Sequence, residues 1–128
     1  GLVFITGDLS FYHDMNGLLA ISRCGIRATI IVINNDGGGI FQRLPISKFE
    51  PPFTDLFTAP HRLTFEHAAK LYGIEYVCTE KSSLASALKE SLASNKSTII
   101  EIPSNAKKFE SLRKELNQRV KEMVISNQ

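Results

Sequence analysis

Residues 28–33, Ala-Thr-Ile-Ile-Val-Ile, constrain the fold more than any other part of the chain. Five of these six residues are β-branched, stiff at χ1 and suited to a pleated surface, so the segment is the strongest strand in the sequence. It ends at Asn34-Asn35 and is followed at once by Asp36-Gly37-Gly38-Gly39. A second apolar run, residues 2–6, ends at Gly7-Asp8 and suits a strand buried on both faces of a parallel sheet. Between them, residues 14–23 carry Met15, Leu18, Leu19 and Ile21 at helical spacing, with Gly25 as a stop. Strand, helix and strand form one βαβ unit of ordinary size.

The alternation continues. Residues 40–63 lose periodicity and mix Pro45, Pro51, Pro52 and Pro60 with Phe41, Phe49, Phe53 and Phe57, as expected of a functional loop or lid. Thr64 is placed to cap a helix over 65–72 that Gly73 ends. A short strand over 75–78, a helix capped by Ser82 or Ser83 and running to Ala93, and a strand over 98–102 follow. A last helix, 106–124, sets Phe109, Leu112, Leu116, Val120 and Val124 in a stripe expected to pack against the sheet. The class is α/β, a doubly wound, mainly parallel sheet flanked by helices, in one domain over 1–128. The chain opens inside a strand and without an initiator Met, which suggests a segment of a larger protein.

Charge and cysteine content narrow the function. A net charge of +2 from 15 basic and 13 acidic residues leaves no electrostatic footprint for nucleic acid. The basic residues near the C-terminus, Lys107, Lys108, Arg113, Lys114, Arg119 and Lys121, alternate with Glu110, Glu115 and Glu122, a solvated helix face. Cys24 and Cys78 fit no disulfide or zinc spacing and are expected to be buried thiols. Met15 and Met123 are expected core fillers. No apolar run reaches the roughly 18 residues of a membrane span, so a soluble, intracellular protein is expected.

In an open α/β sheet, ligands bind outside the carboxyl ends of the strands. A right-handed crossover makes the first two strands parallel and brings Asp8 and Asn35 to the same edge. Gly7 lets the chain turn as it leaves its strand, and Ser10 with the following amides can face a phosphate. Asp8 offers a charged oxygen, Asn35 an amide oxygen, and the glycine run a carbonyl, that of Gly37. With two diphosphate oxygens and a water, these complete the six oxygens that magnesium prefers, and the absence of His and Cys argues against zinc. Singly, each motif is as readily a turn or a flexible connection; their placement at the ends of two strands of one crossover favours the site. His13 and Asp14 are expected in the first turn of the helix, with capping as the simpler role. His61 and His67 have no nucleophile or carboxylate partner identifiable by spacing, so a catalytic triad is not indicated.

Gly7-Asp8 and Asn34-Asn35 resemble the thiamine-diphosphate fingerprint, Gly-Asp-Gly, a spacer, then Asn-Asn, in which the Asp and the second Asn bind magnesium. Leu9 departs from the third glycine. Gly-Asp-Leu-Ser, Tyr-His-Asp and Asn-Gly-Leu, then Asn34 to Phe41, Leu44-Pro45 and Phe65-Glu66-His67, are similar to the SEPHCHC synthase (MenD) family of menaquinone and phylloquinone biosynthesis. That resemblance covers most of the chain up to Ile102.

It implies the C-terminal part of a diphosphate-binding domain, thiamine diphosphate with Mg2+ or Mn2+ as cofactors, and cofactor contacts at Gly7, Asp8, Leu9, Ser10, Asn35, Gly37, Gly38 and Ile40. Asp8, Asn35 and Gly37 would hold the metal, while Ile40, Phe41 and Leu44 would line the substrate pocket. The implied reaction is decarboxylation of 2-oxoglutarate and addition of the resulting carbanion to isochorismate. Gln42 and Arg43 depart from small or apolar residues common in the family; Arg43 either faces a substrate carboxylate or is solvated. The glutamate that activates the cofactor belongs to a pyrimidine-binding domain, normally of a partner subunit. Glu66 is a poor candidate for it, and no catalytic residue is assigned here. The chain alone is therefore expected to be inactive, and the complete protein to be a cytoplasmic or plastid homo-oligomer. The alternatives are another thiamine-diphosphate enzyme, such as an acetolactate synthase or a 2-oxoacid decarboxylase, and a non-catalytic α/β assembly module.

Overall fold

The β-branched run is a central strand. In the computed structural model, which describes residues 1–126, β2 (Ala28–Asn34) lies between β1 (Leu2–Gly7) and β4 (Thr98–Pro103), and β3 (Glu75–Cys78) pairs with the far side of β4. All three pairings are parallel, and Ile5, Ile31, Ile100 and Val77 lie in one row across the sheet. The helices are α1 (Asp8–Asp14), α2 (Leu18–Arg23), α3 (Glu66–Leu71), α4 (Leu84–Ala93) and α5 (Ala106–Ser126).

Alternate residues of β2 feed opposite layers, because strand side chains alternate faces. Ile30 and Val32, with Ile99 of β4, join Phe11 of α1, Leu18 of α2, and Phe65, Ala69 and Ile74 around α3. Ile31, with Ile100 and Ile102, packs under Leu84, Ala87 and Leu88 of α4. The middle of the sheet, β2 and β4, is thus covered on both faces, as continuous apolar strands require. Each fully buried aliphatic side chain contributes roughly 1.5–3 kcal/mol. Among the described residues no helix is long and apolar enough to cross a membrane.

Several sequence expectations are corrected. The helix expected over 14–23 instead starts at Asp8, breaks at a 3-10 turn, Met15–Gly17, and resumes as α2. His13 and Asp14 therefore stand at the end of α1, and the Asp14 side chain makes no capping bond. β1 is not buried on both faces: among the described residues it pairs only with β2, and Leu2, Phe4 and Ile5 are all more than half exposed. Cys24 and Cys78 are free and exposed rather than buried. Thr64 does not cap α3; the cap position is Phe65, whose N–H donates to a Glu101 oxygen at 2.8 Å. Likewise Ser83 precedes α4 without a side-chain capping bond.

Helix α5 departs furthest from its expected packing. Its stripe does not pack on the sheet: Phe109, Leu112, Leu116, Val120 and Val124 are each at least half exposed, as is Met123. The helix instead meets the sheet edge loop at Gly39–Arg43. Nor is its charged face wholly solvated, because Glu110 is buried beside Arg113. Met15, in contrast, packs on the core as expected.

Candidate cofactor and metal site

Gly7 and Asn34 end neighbouring parallel strands, so both motifs come to the carboxyl edge of the sheet. Gly7 has φ −85° and ψ 164°, an extended conformation open to any residue, and a Cβ there would meet nothing within 4 Å. Its glycine is thus not required by the turn, contrary to the sequence reading; it leaves the cleft floor open. Asp8 enters the first turn of α1, where a carboxylate is favoured by the helix dipole. It is only 3% exposed.

Among the described residues, four hydrogen bonds hold the buried carboxylate. Oδ1 accepts from the Leu9 amide at 2.8 Å. Oδ2 accepts from the amides of Asn35, at 3.1 Å, and Gly37, at 2.9 Å. The fourth donor is His61, whose Nε2 lies 3.1 Å from Oδ2. Leu63 N–H donates to His61 Nδ1 at 2.9 Å; that nitrogen is therefore the acceptor, and the proton sits on Nε2.

The Asn35 amide ends 3.1 and 3.3 Å from the two Asp8 oxygens and 2.8 Å from the Gly37 carbonyl. Turned one way, its nitrogen donates to all three. Turned the other way, its oxygen joins them, and four acceptors face one another with no hydrogen between them. The first orientation is satisfied by hydrogen bonds alone; the second would need a cation among the oxygens. The separations are close to the about 2.9 Å expected between neighbouring oxygens of an octahedron with metal–oxygen distances of about 2.0–2.1 Å. Among the described residues no group of three or more His, Cys, Asp or Glu side chains could hold a metal, so such a site would rest on carboxylate, amide and carbonyl oxygens.

Two of the three glycines are required by what passes over them. Gly37 has φ +122°, and its Cβ would lie 2.1 Å from the Thr58 carbonyl; a Cβ on Gly38 would lie 2.2 Å from the Phe57 carbonyl. Gly38 N–H donates to Thr58 O at 2.7 Å. The segment over 40–63 is no open lid. It is folded into 3-10 turns and a π-helical turn, Thr54–Thr58, with Phe53 buried and stacked on Phe57.

A cleft of about 630 Å³ runs along this edge, and Gly7, Asp8, Leu9, Ser10, Asn35, Gly37, Gly38, Ile40 and Phe41 all line it. Leu44 does not line it, although it is exposed. Ile40 is 67% exposed and Phe41 37%, so these apolar side chains form a wall rather than core, with the Phe41 ring edge-on to Phe57. Arg43 is directed to Glu110, 4.0 Å away. Glu66 pairs with Lys70 at 2.7 Å, which holds its carboxyl below the usual range, and His67 is exposed. A second cleft, of about 640 Å³, opens at Cys78, Glu80, Lys81 and Pro103 and contains none of the motif residues.

The comparison with known proteins decides the family. Residues 2–102 match the model for the thiamine pyrophosphate enzyme, C-terminal TPP binding domain. The chain belongs to this family. As a thiamine pyrophosphate domain it is 55% identical over 107 residues to a protein of Roseiflexus castenholzii named 2-succinyl-5-enolpyruvyl-6-hydroxy-3-cyclohexene-1-carboxylate synthase, covering 83% of this chain and 18% of that one. A protein of the same name from Haloquadratum walsbyi is 41% identical over 129 residues, covering 98% of this chain and 21% of that one. The domain thus spans about a fifth of the length of these curated relatives. Its fold matches the Rhodococcus jostii thiamine diphosphate-dependent 4-hydroxybenzoylformate decarboxylase with a TM-score of 0.67 at 25% identity, over 80% of this chain and 19% of that one. The benzoylformate decarboxylase of Polynucleobacter necessarius gives 0.68 at 22% identity, over 81% and 19%, a likeness of fold alone.

Two features of this thiamine pyrophosphate domain escaped the sequence reading. His61 meets Asp8 across 53 positions, and no spacing rule links them. Glu101, in the middle of an apolar strand, is 1% exposed. Its oxygens accept from Asn34 Nδ2 at 2.7 Å, from Phe65 N–H at 2.8 Å and from the Tyr76 hydroxyl at 2.8 Å. Burial first, then the bond to Glu101, pushes the Tyr76 phenol well above its ordinary value. A charged residue amid Thr-Ile-Ile and Ile-Pro was the one available signal.

Proposed function

We propose that this chain is the diphosphate- and magnesium-holding part of a SEPHCHC synthase, a carboligase that decarboxylates 2-oxoglutarate and joins the remaining four-carbon unit to isochorismate. The observation that carries the reading is the convergence of both Asp8 oxygens and the Gly37 carbonyl within 2.8–3.3 Å of one Asn35 amide atom. Asp8, Asn35 and Gly37 would hold Mg2+, and the cleft beside Gly7, Leu9, Ser10 and Gly38 would receive the diphosphate. Thiamine diphosphate, when bound, supplies the electron sink that stabilises the carbanion left by decarboxylation.

The chain's own residues bind and enclose. Asp8 brings one negative charge to the cation while its other oxygen is neutralised by backbone amides. Ile40 and Phe41 supply an apolar wall that excludes water from the reacting carbon. The proton relay that activates the cofactor is assigned to a glutamate outside this chain, on a pyrimidine-binding domain of a partner subunit, so the isolated domain is inactive. The names of the curated relatives, at 41–55% identity, support this substrate pair over those of an acetolactate synthase or a simple decarboxylase.

The test is calorimetric titration of thiamine diphosphate into the complete protein, with and without Mg2+. Wild type binds only with Mg2+, and Asp8→Ala loses that binding. Equal affinity in the two proteins would sink the site. Product formation from 2-oxoglutarate plus isochorismate, and none from pyruvate, tests the substrates.

A further inference from the structure

Three of the four hydrogen bonds to Asp8 come from the backbone beside it, at Leu9, Asn35 and Gly37. The fourth comes from a different part of the chain. His61 reaches over from the segment that crosses the glycine run, and its side chain is 13% exposed against 4% for that of Asp8. The bonds are unevenly divided: with the Asn35 side-chain oxygen turned toward the site, Oδ2 accepts from Asn35 N–H, Gly37 and His61, whereas among the described residues Oδ1 accepts only from Leu9. An oxygen with three donors has no lone pair left to offer a metal, and an oxygen with one donor has.

The imidazole is aimed by its own surroundings. Its Nδ1 takes the Leu63 N–H, the Leu63 carbonyl accepts from Asn34 Nδ2 at 2.8 Å, and Asn34 Nδ2 also donates to Glu101. Next door, Arg62 N–H donates to Asp36 Oδ1 at 2.6 Å. Arg62 and Ala59 have φ of +54° and +44°, a left-handed backbone that residues other than glycine adopt rarely, so tertiary bonds hold this segment in place.

We infer that His61 is a positioning residue for the metal site: its Nε2–H holds Asp8 Oδ2 and so presents Oδ1 as the oxygen offered to the cation. Terminal carboxylate torsions are broad and two-fold, so the donors fixed on Oδ2, His61 together with the Asn35 and Gly37 amides, bias which oxygen faces the metal. This rests on the metal-site reading above, and one titration separates the two. Mn2+ is titrated into the complete protein at a fixed concentration of thiamine diphosphate, and free Mn2+ is read from its electron paramagnetic resonance signal. His61→Phe keeps a ring beside Phe65, 6.3 Å away, but removes the donor. His61→Gln keeps an N–H donor but removes the ring.

The Mn2+ dissociation constant is expected to rise about 10- to 100-fold in His61→Phe, the usual effect of removing a partner of a metal ligand. His61→Gln is expected to recover most of that loss. Wild-type affinity in His61→Phe, or an equal loss in both variants, overturns it. Should His61→Phe not fold, His61→Asn, too short to reach Oδ2, replaces it with the same two outcomes. If Asp8→Ala binds Mn2+ as wild type does, the metal site itself is wrong; if Asp8→Ala loses binding and His61→Phe does not, only the role of His61 is.

Discussion

Replacing Glu101 by Gln changes one atom and tests the network that joins the sheet to the site. The carboxylate accepts three hydrogen bonds while 1% exposed. Glutamine offers one acceptor oxygen and an amide donor. With its nitrogen at the Oε2 position it confronts the Phe65 N–H, a backbone donor that cannot turn away. With its nitrogen at the Oε1 position it confronts Asn34 Nδ2, itself tied to the Leu63 carbonyl. Either way a donor is stranded, the buried Phe65 N–H or the half-buried Asn34 amide, at about 1–3 kcal/mol, and the surviving bonds lose charge assistance worth about 1 kcal/mol.

A total of about 2–4 kcal/mol is a large part of the roughly 5–15 kcal/mol that separates folded from unfolded domains. For a cooperative unit of 128 residues, an unfolding entropy of about 2.1 cal/mol/K per residue converts this to a fall in Tm of about 7–15 °C. Thermal unfolding followed by circular dichroism measures it. A Tm within about 2 °C of wild type, roughly 0.5 kcal/mol, would refute the argument that Glu101 is an acceptor for three fixed donors.

Two further outcomes follow from the geometry. Gly38→Ala places a Cβ 2.2 Å from the Phe57 carbonyl and 2.7 Å from the Phe41 ring; overpacking of this kind costs about 1–3 kcal/mol, and a urea midpoint equal to wild type would show that the segment yields freely. The Glu110 carboxyl is held below its usual 4.5 first by the Arg113 hydrogen bond, against burial, and then by the charges of Arg113, Lys114 and Arg43. A lowered folded value means the stabilisation is full above about pH 4.5 and disappears as pH falls through the lowered value. Melts from pH 6 to 3 should therefore lose stability at the acid end in wild type and lose less in Glu110→Gln; parallel curves would show that the pair contributes nothing.

The sequence by itself determined the βαβ unit, the parallel sheet and the edge on which both polar motifs fall. The reason is local: β-branched runs dictate extended backbone, and a right-handed crossover leaves the ends of residues 2–6 and 28–33 side by side. What lay beyond one crossover was decided only by the tertiary structure. Periodicity showed that one face of α5 is apolar but not what that face meets, and its stripe is at least half exposed rather than packed on the sheet. Composition marked residues 2–6 as a strand but not as an edge, because burial depends on neighbours rather than on the run itself. His61 and Glu101 had no legible partner, since a hydrogen bond across 53 positions or from a strand to a helix cap exists only once loops have been placed. The glycines divide along the same line: Gly37 and Gly38 are glycines because the Phe57–Thr58 backbone crosses them at contact distance, a fact written in the packing and nowhere in the motif.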